Sequence, residues 1–213
     1  MRLKEFFREL KHHVPFTLFA TVAAILLILF FKYFLEQQIT EFMFELSHVL
    51  HIVVSSFVTA GIYYKYNKKL IPALLVGIFG AIIIGSISDI IFPWLGGNIL
   101  GLHMHFHLPV IEVPAVVLGA TIAGSILGIK TGFTKLPHFI HVFLSVFASL
   151  FYLLTFSGAM FELTYFAAAF FIVFISVIIP CCVSDILFPF FFIGNRKEKP
   201  SSCCCSGRVD SDS

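Results

Sequence analysis

The sequence predicts an all-α integral membrane protein: six transmembrane helices arranged as two inverted three-helix repeats. Three observations lead to this prediction: apolar stretches of membrane-spanning length, an internal duplication of polar motifs, and an alternating distribution of basic residues. The 213-residue chain is 59% hydrophobic and only 12% charged, with a mean hydropathy of +0.98. Soluble domains average about 25% charged residues, so the composition indicates that the lipid bilayer is the main partner of this chain.

Six apolar stretches are long enough to cross a bilayer, which requires about 20 residues of helix. They cover approximately 15–35, 42–64, 70–93, 109–129, 137–157 and 162–192. The last stretch predicts a break near Pro180 or Pro189, because proline interrupts helical hydrogen bonding. The basic segment 1–11 resembles the start of a signal peptide, but the long apolar run after it lacks a persuasive cleavage site and predicts a retained helix.

Three polar motifs occur twice, in the same order. The motif HVLHIVVS at 48–55 returns as HFIHVFLS at 138–145, an offset of 138 − 48 = 90. SDIIFP at 88–93 returns as SDILFP, 184 − 88 = 96 residues later, and HVP at 13–15 returns as HLP, 107 − 13 = 94 residues later. This pattern predicts an internal duplication, with repeat one over 1–95 and repeat two over 96–194.

The basic residues predict the orientation of the chain. With the N-terminus in the cytoplasm, thirteen of the fourteen lysines and arginines fall on the cytoplasmic side, and Lys32 is the exception. Both termini are therefore predicted to be cytoplasmic, and the compactness of the chain favours a prokaryotic plasma membrane. Each repeat holds an odd number of helices, so the second repeat is inverted relative to the first, an arrangement that recurs in small transporters.

The hydrophilic segment 195–213 predicts a disordered cytoplasmic tail. Its three consecutive cysteines, Cys203–Cys205, are expected to be reduced in that compartment. They are candidates to bind a soft metal or to carry palmitate, or they have no specific role.

The predicted topology gathers histidine and aspartate into two clusters, one at each membrane face. The outer cluster draws on both repeats and contains His48, His51, Asp89, His103, His105 and His107. The inner cluster also draws on both and contains His138, His141, Asp185, His12 and His13. Ionisable side chains are costly within a membrane and are functional by default there.

Histidines three residues apart lie on one face of a helix, so both imidazoles can reach one ion. With an aspartate they suit a divalent transition metal such as Zn, Fe, Mn, Co or Ni. Several nearby residues are candidate auxiliary groups: Ser55, Ser145, Ser88, Ser184, Glu45, Glu112 and Cys182. The two glutamates predict a harder outer site, and the cysteine predicts a softer inner one.

Structural interpretations of the same residues stay open. A histidine near a membrane interface often only contacts headgroup water, as is equally expected for His12 and His13 beside Lys11. The SDxxFP motif is also typical of a helix end, where a capping residue precedes proline. Duplication equally preserves a packing network, so the repeated residues predict a site without establishing one.

The leading functional hypothesis is a transporter for a divalent transition-metal ion, with pseudo-symmetric His/Asp sites at the two faces and histidine protonation coupling proton movement to metal exchange. No Walker A sequence is present, so an ion gradient, downhill flow or an energising subunit would drive transport. A homo-oligomer is compatible with this hypothesis, and no nucleic-acid partner is expected. Three alternatives remain: a b-type haem electron-transfer protein, a metal-dependent intramembrane hydrolase, and a structural or regulatory subunit.

Overall fold

A computed structural model describes residues 3–34, 39–132, 135–157, 163–182 and 192. The described chain is all-helical, as predicted, and contains no β-strand in those ranges. A π-helical turn at Ile87–Ile91 joins α3 to α4. The helices are α1 (Leu3–Phe34), α2 (Glu41–Asn67), α3 (Leu70–Ser86), α4 (Phe92–Ile99), α5 (Pro109–Glu112), α6 (Pro114–Thr131), α7 (Lys135–Phe156) and α8 (Leu163–Cys182).

Each of the six predicted apolar stretches contains helix. Four helical segments of the described chain are long and apolar enough to cross a membrane: His13–Phe34, Glu41–Asn67, Leu70–Ile99 and Pro114–Thr131. Two further apolar segments, Ile140–Phe156 and Tyr165–Pro180, are shorter over the residues that the structure describes. These features are those of a helical membrane protein.

One predicted helix boundary was wrong. The third predicted helix was expected to end near Pro93, but the π-turn accommodates that proline and the helix continues to Ile99. A break was also predicted near Pro180 or Pro189; α8 includes Pro180 and is described as far as Cys182, and Pro189 lies outside the described residues.

Large apolar side chains cover the outside of the bundle. Phe19 on α1, Phe79 on α3 and Phe171 on α8 are 63%, 56% and 63% exposed. Extended apolar surface of this kind is unusual on a soluble monomer but is expected where side chains face lipid. The buried core lies between α1, α2, α7 and α8, where Phe44, Tyr152 and other large side chains pack.

The central helix is α2, which contacts α3, α6 and α7. It runs parallel to α6 through a contact of small residues. A Cβ atom added at Gly124 would collide with the main chain of Val53, and one at Gly128 would collide with the main chain of Phe57. Only glycine permits this approach between two helix backbones, which is a recurrent form of helix packing in membranes.

The π-turn at Ile87–Ile91 follows from the position of Pro93. Proline has no N–H group, and its ring clashes with the carbonyl group four residues earlier, which here belongs to Asp89. The helix widens at this point, and the Phe92 N–H group bonds to the Ile87 carbonyl oxygen five residues back. Single π-turns inside α-helices are frequent at functional sites, and this one carries Asp89.

Candidate metal centre

The carboxylate of Asp89 lies fully buried between two histidines of α2. Its Oδ2 atom is 2.8 Å from His48 Nδ1 and 2.6 Å from His51 Nδ1. Asp89 has no solvent exposure, and the two histidines are 2% and 1% exposed. The three side chains form one of two groups in the described chain whose ligand atoms converge closely enough to hold a metal ion.

Two serine hydroxyl groups complete the contacts of this carboxylate. Ser88 Oγ and Ser145 Oγ donate hydrogen bonds to Asp89 Oδ1 at 2.7 and 2.9 Å. One turn along α7, Ser149 Oγ donates to the Ser88 carbonyl oxygen at 3.0 Å. Asp89 therefore accepts four hydrogen bonds, two from α2, one from α7 and one from its neighbour, which compensates a charge that is otherwise costly to bury.

The structure joins residues that the sequence assigned to opposite faces. The rings of His51 and His141 are stacked, with centroids 4.6 Å apart and planes 26° from parallel. The expected separation of these two histidines was therefore wrong. His51 lies 51 − 41 = 10 residues into α2, or about 15 Å from the first residue of that helix at 1.5 Å per residue.

The two candidate auxiliary serines of α2 and α7 differ in their contacts. Ser145 donates a hydrogen bond to the Asp89 carboxylate rather than to an imidazole. Ser55 is buried on α2, and its hydroxyl group makes no hydrogen bond to any residue that the structure describes.

The second convergent group lies where α2 begins, at an end of the bundle that we call the Glu41 face. It contains Glu41, Glu45 and the buried His107. His107 Nδ1 is 2.8 Å from Glu112 Oε2 and 3.7 Å from Glu41 Oε1, and its Nε2 atom is 3.9 Å from Glu45 Oε1. The sequence anticipated three of these residues, but it grouped them with the cluster around Asp89.

The loop between α4 and α5 holds His107 in place. Tyr152 on α7 accepts a hydrogen bond from the His107 N–H group and donates one to the His105 carbonyl oxygen, both at 3.2 Å. The side chains of His103 and His105 are exposed, and neither joins a convergent group. His13 is buried on α1 and joins neither group either.

Part of the predicted inner cluster cannot be compared with the structure. Asp185 and Ser184 lie outside the described residues. The helical positions of His12, His138 and Cys182 are described, but their side chains are not.

Sequence reasoning missed two contributors, Ser149 and Tyr152, and it counted Glu41 among the acidic residues near His48 without including it in the candidate site. The signal for Ser149 and Tyr152 was the spacing of polar residues along α7, where His141, Ser145, Ser149 and Tyr152 follow at intervals of four, four and three. Such intervals align side chains on one helix face.

The chain matches no protein-family model, no curated protein and no solved structure. Its function therefore has to be argued from the site itself.

Two imidazoles and one carboxylate can coordinate a divalent transition metal, and they can equally hold protons between them. In the structure, Nδ1 of His48 and Nδ1 of His51 both donate hydrogen bonds to the buried carboxylate of Asp89. Metal binding through the two Nδ1 atoms would displace those protons, because a ring nitrogen must be unprotonated to coordinate an ion.

Proposed function

We propose that this protein is a membrane transporter for a divalent transition-metal ion, such as Zn, Fe, Mn, Co or Ni. The observation that carries the proposal is the buried group of His48, His51 and Asp89. Mixed imidazole and carboxylate ligands suit these ions. A carboxylate held without solvent contact inside an apolar bundle is costly, and such residues mark ion pathways in membrane proteins.

A polar stripe along α2 supports movement of an ion through the bundle. Glu41, Glu45, His48, His51 and Ser55 follow one another at intervals of four, three, three and four residues, which keeps them on one face of the helix. The polar face of α7 packs against α2, with Asp89 between the two helices. Together these side chains would give an ion ligands from the Glu41 face to the middle of the bundle.

The hydrogen bonds around Asp89 support coupling between metal and protons. Each histidine donates its Nδ1 proton to the carboxylate, as the two short distances indicate. When an ion takes an Nδ1 atom as a ligand, a ring that is protonated at both nitrogens releases one proton from the site, whereas a neutral ring keeps its proton by moving it to Nε2. Exchange of an ion for the protons of doubly protonated rings would couple metal movement in one direction to proton movement in the other.

We also propose that six helices span the membrane as two inverted repeats. The repeat offset of 90 makes His51 equivalent to His141, and equivalent residues meet where a pseudo-twofold axis passes through a bundle. The helix contacts support this symmetry. Exchanging α1 with α6, α2 with α7 and α3 with α8 converts the α2–α6, α2–α3 and α3–α6 contacts into α7–α1, α7–α8 and α8–α1, all of which occur.

The count of basic residues supports a cytoplasmic location for both termini, so the Glu41 face would open away from the cytoplasm. A second ion site involving His138 and Asp185 at the opposite face remains part of the proposal. A haem group between the stacked rings of His51 and His141 is disfavoured, because a porphyrin needs the space that separates its two axial ligands and these rings are in contact.

The test is metal uptake by the purified protein in proteoliposomes, with the radioactive or fluorescent signal of each of the five ions measured separately. Asp89→Asn keeps the shape of the side chain but removes the anionic ligand, and it should lower the initial rate by at least about tenfold. His103→Gln is the matched control, since His103 is exposed and outside the convergent groups, and it should transport normally. Failure of the wild-type protein to move any of these ions, with or without a proton gradient, would refute the proposal.

A further inference from the structure

The geometry points to a second metal site at the Glu41 face, in which His107, Glu45 and Glu41 bind a divalent transition-metal ion before it reaches Asp89. The identity of the ion rests on the proposed function. The existence of the site rests on the contacts of His107, which are independent of the buried cluster.

The first observation is a buried ring nitrogen without a hydrogen bond. The side chain of His107 is 5% exposed, and its Nε2 atom has no hydrogen-bond partner among the residues that the structure describes. A buried polar atom normally has a partner in the protein or in bound solvent. Nε2 faces Glu45 Oε1 at 3.9 Å, a distance too long for a hydrogen bond.

The second observation is the position of Glu112. Its Oε2 atom accepts a hydrogen bond from His107 Nδ1 at 2.8 Å, and its Oε1 atom accepts one from the Leu108 N–H group at 3.0 Å. A carboxylate that holds one ring nitrogen of a histidine leaves the lone pair on the other nitrogen available. Metal-binding histidines are almost always oriented in this way, so Glu112 is a positioning residue and His107 Nε2 is the ligand atom.

Two more carboxylates complete the group. Glu45 Oε1 is 3.9 Å from His107 Nε2, whereas Glu41 Oε1 is 3.7 Å from Nδ1, the nitrogen that Glu112 holds. One ligand atom from each of the three residues lies within 4.8 Å of the others, and the side chains of Glu45 and Glu41 are 38% and 57% exposed. Two ligands of one ion, each about 2.0–2.2 Å from it, are about 3–4 Å apart, so an ion on Nε2 would take Glu45 at the observed spacing and would require the exposed Glu41 side chain to turn toward it. The exposed carboxylates give it access from outside the bundle.

Phe44 contacts both this site and the buried one, and the two sites share no residue. The centroid of its ring is 5.7 Å from the ring centroid of His107 and 5.7 Å from that of His48, and Phe44 is fully buried. The two sites are therefore distinct binding events in series. Carboxylates dominate the first, which makes it the harder of the two, and imidazoles dominate the second.

The test is equilibrium binding of Co²⁺ and Mn²⁺ to the purified full-length chain in detergent, after removal of metal with a chelator. Co²⁺ is followed by its visible absorption and Mn²⁺ by its paramagnetic resonance signal. We expect His107→Gln and Asp89→Asn each to bind one ion fewer than the wild-type chain. The control His103→Gln should bind as many ions as the wild-type chain. Glu112→Gln should weaken only one of the two sites, by about 10–100-fold.

The outcomes separate this inference from the proposed function. Loss of one ion in Asp89→Asn with none lost in His107→Gln would overturn the site at the Glu41 face and leave the transporter proposal intact. Loss of one ion in His107→Gln with none lost in Asp89→Asn would support the site at the Glu41 face and count against the buried one. If His107→Gln does not elute as a single species on size exclusion, Glu45→Gln replaces it, because the Glu45 side chain is half-exposed and lies outside the described apolar core. Binding of the wild-type number of ions by this variant would equally overturn the inference.

Discussion

The contact between α2 and α6 makes a prediction with opposite signs at two glycines of the same helix. Gly128 abuts α2: a Cβ atom there would lie 2.8 Å from the Phe57 carbonyl carbon and 2.9 Å from Phe57 Cα, whereas ordinary contact begins at 3.4 Å. Nothing lies within 4 Å of a Cβ atom added at Gly119. Alanine should therefore destabilise the protein at Gly128 and stabilise it at Gly119.

The magnitudes follow from the same distances. At Gly128 the contact with the Phe57 carbonyl carbon alone would require the two main chains to separate by 3.4 − 2.8 = 0.6 Å, and the nearer Phe57 carbonyl oxygen requires more. Inserting a methyl group into a packed interface costs about 1–3 kcal/mol, and the better helix propensity of alanine returns about 1 kcal/mol. Because the collision is with main-chain atoms, the cost should fall at the upper end of this range, and Gly128→Ala should lower the free energy of unfolding by about 2 kcal/mol. Gly119→Ala should raise it by about 0.5–1 kcal/mol.

The assay is reversible unfolding in mixed micelles of sodium dodecyl sulfate and a mild detergent, followed by far-ultraviolet circular dichroism. Because α2 also carries His48 and His51, a displaced α2 should weaken Co²⁺ binding at Asp89 in Gly128→Ala. Binding by Gly119→Ala should be unchanged. Changes of the same sign in stability for both variants would refute the inferred contact between the two helices.

Two further predictions concern the surroundings of Asp89. Ser145→Ala removes the hydroxyl group that donates to Asp89 Oδ1 at 2.9 Å and should weaken Co²⁺ binding by about 10–100-fold. Ser145→Thr, which keeps the hydroxyl group, should restore it, and equal binding by both variants would contradict this role. Pro93→Ala removes the clash that favours the π-turn, so Asp89 should rotate away from α2. Titration should show weaker Co²⁺ binding, while circular dichroism should show no loss of helix. An unchanged affinity for Co²⁺ would show that proline does not set the turn.

Much of the fold could be predicted from the sequence, because long apolar stretches separated by short polar segments permit few interpretations. The pairing of His48 and His51 with Asp89 was also accessible, since the repeated motifs identified these residues and alternating spans brought them to one level. The position of each side chain along the axis of the helix bundle could not be predicted. A helix boundary that is uncertain by a few residues moves a side chain by several ångströms, enough to turn the contact of His51 with His141 into an expected separation.

The π-turn could not be predicted from the sequence for a different reason. SDIIFP is equally compatible with a helix end, and only the packing of α7 distinguishes the two outcomes. Ser149, which donates to the Ser88 carbonyl oxygen, carries no signal apart from its interval of four residues from Ser145. Contacts with the main chain leave little trace in a sequence.

The π-turn also divides the long helical segment from Leu70 to Ile99 mechanically. Before the turn, α3 is wedged against α2 and α6, where a Cβ atom at Gly77 would crowd Ala60 and Ser125. Within the turn, Ser88 and Asp89 are tied to α7 by the hydroxyl groups of Ser149 and Ser145. Within the described ranges, two hydrogen bonds, from His48 and His51, join α2 to the carboxylate. If the buried site opens, these two bonds are the ones that break, and Ile87–Ile91 is the hinge.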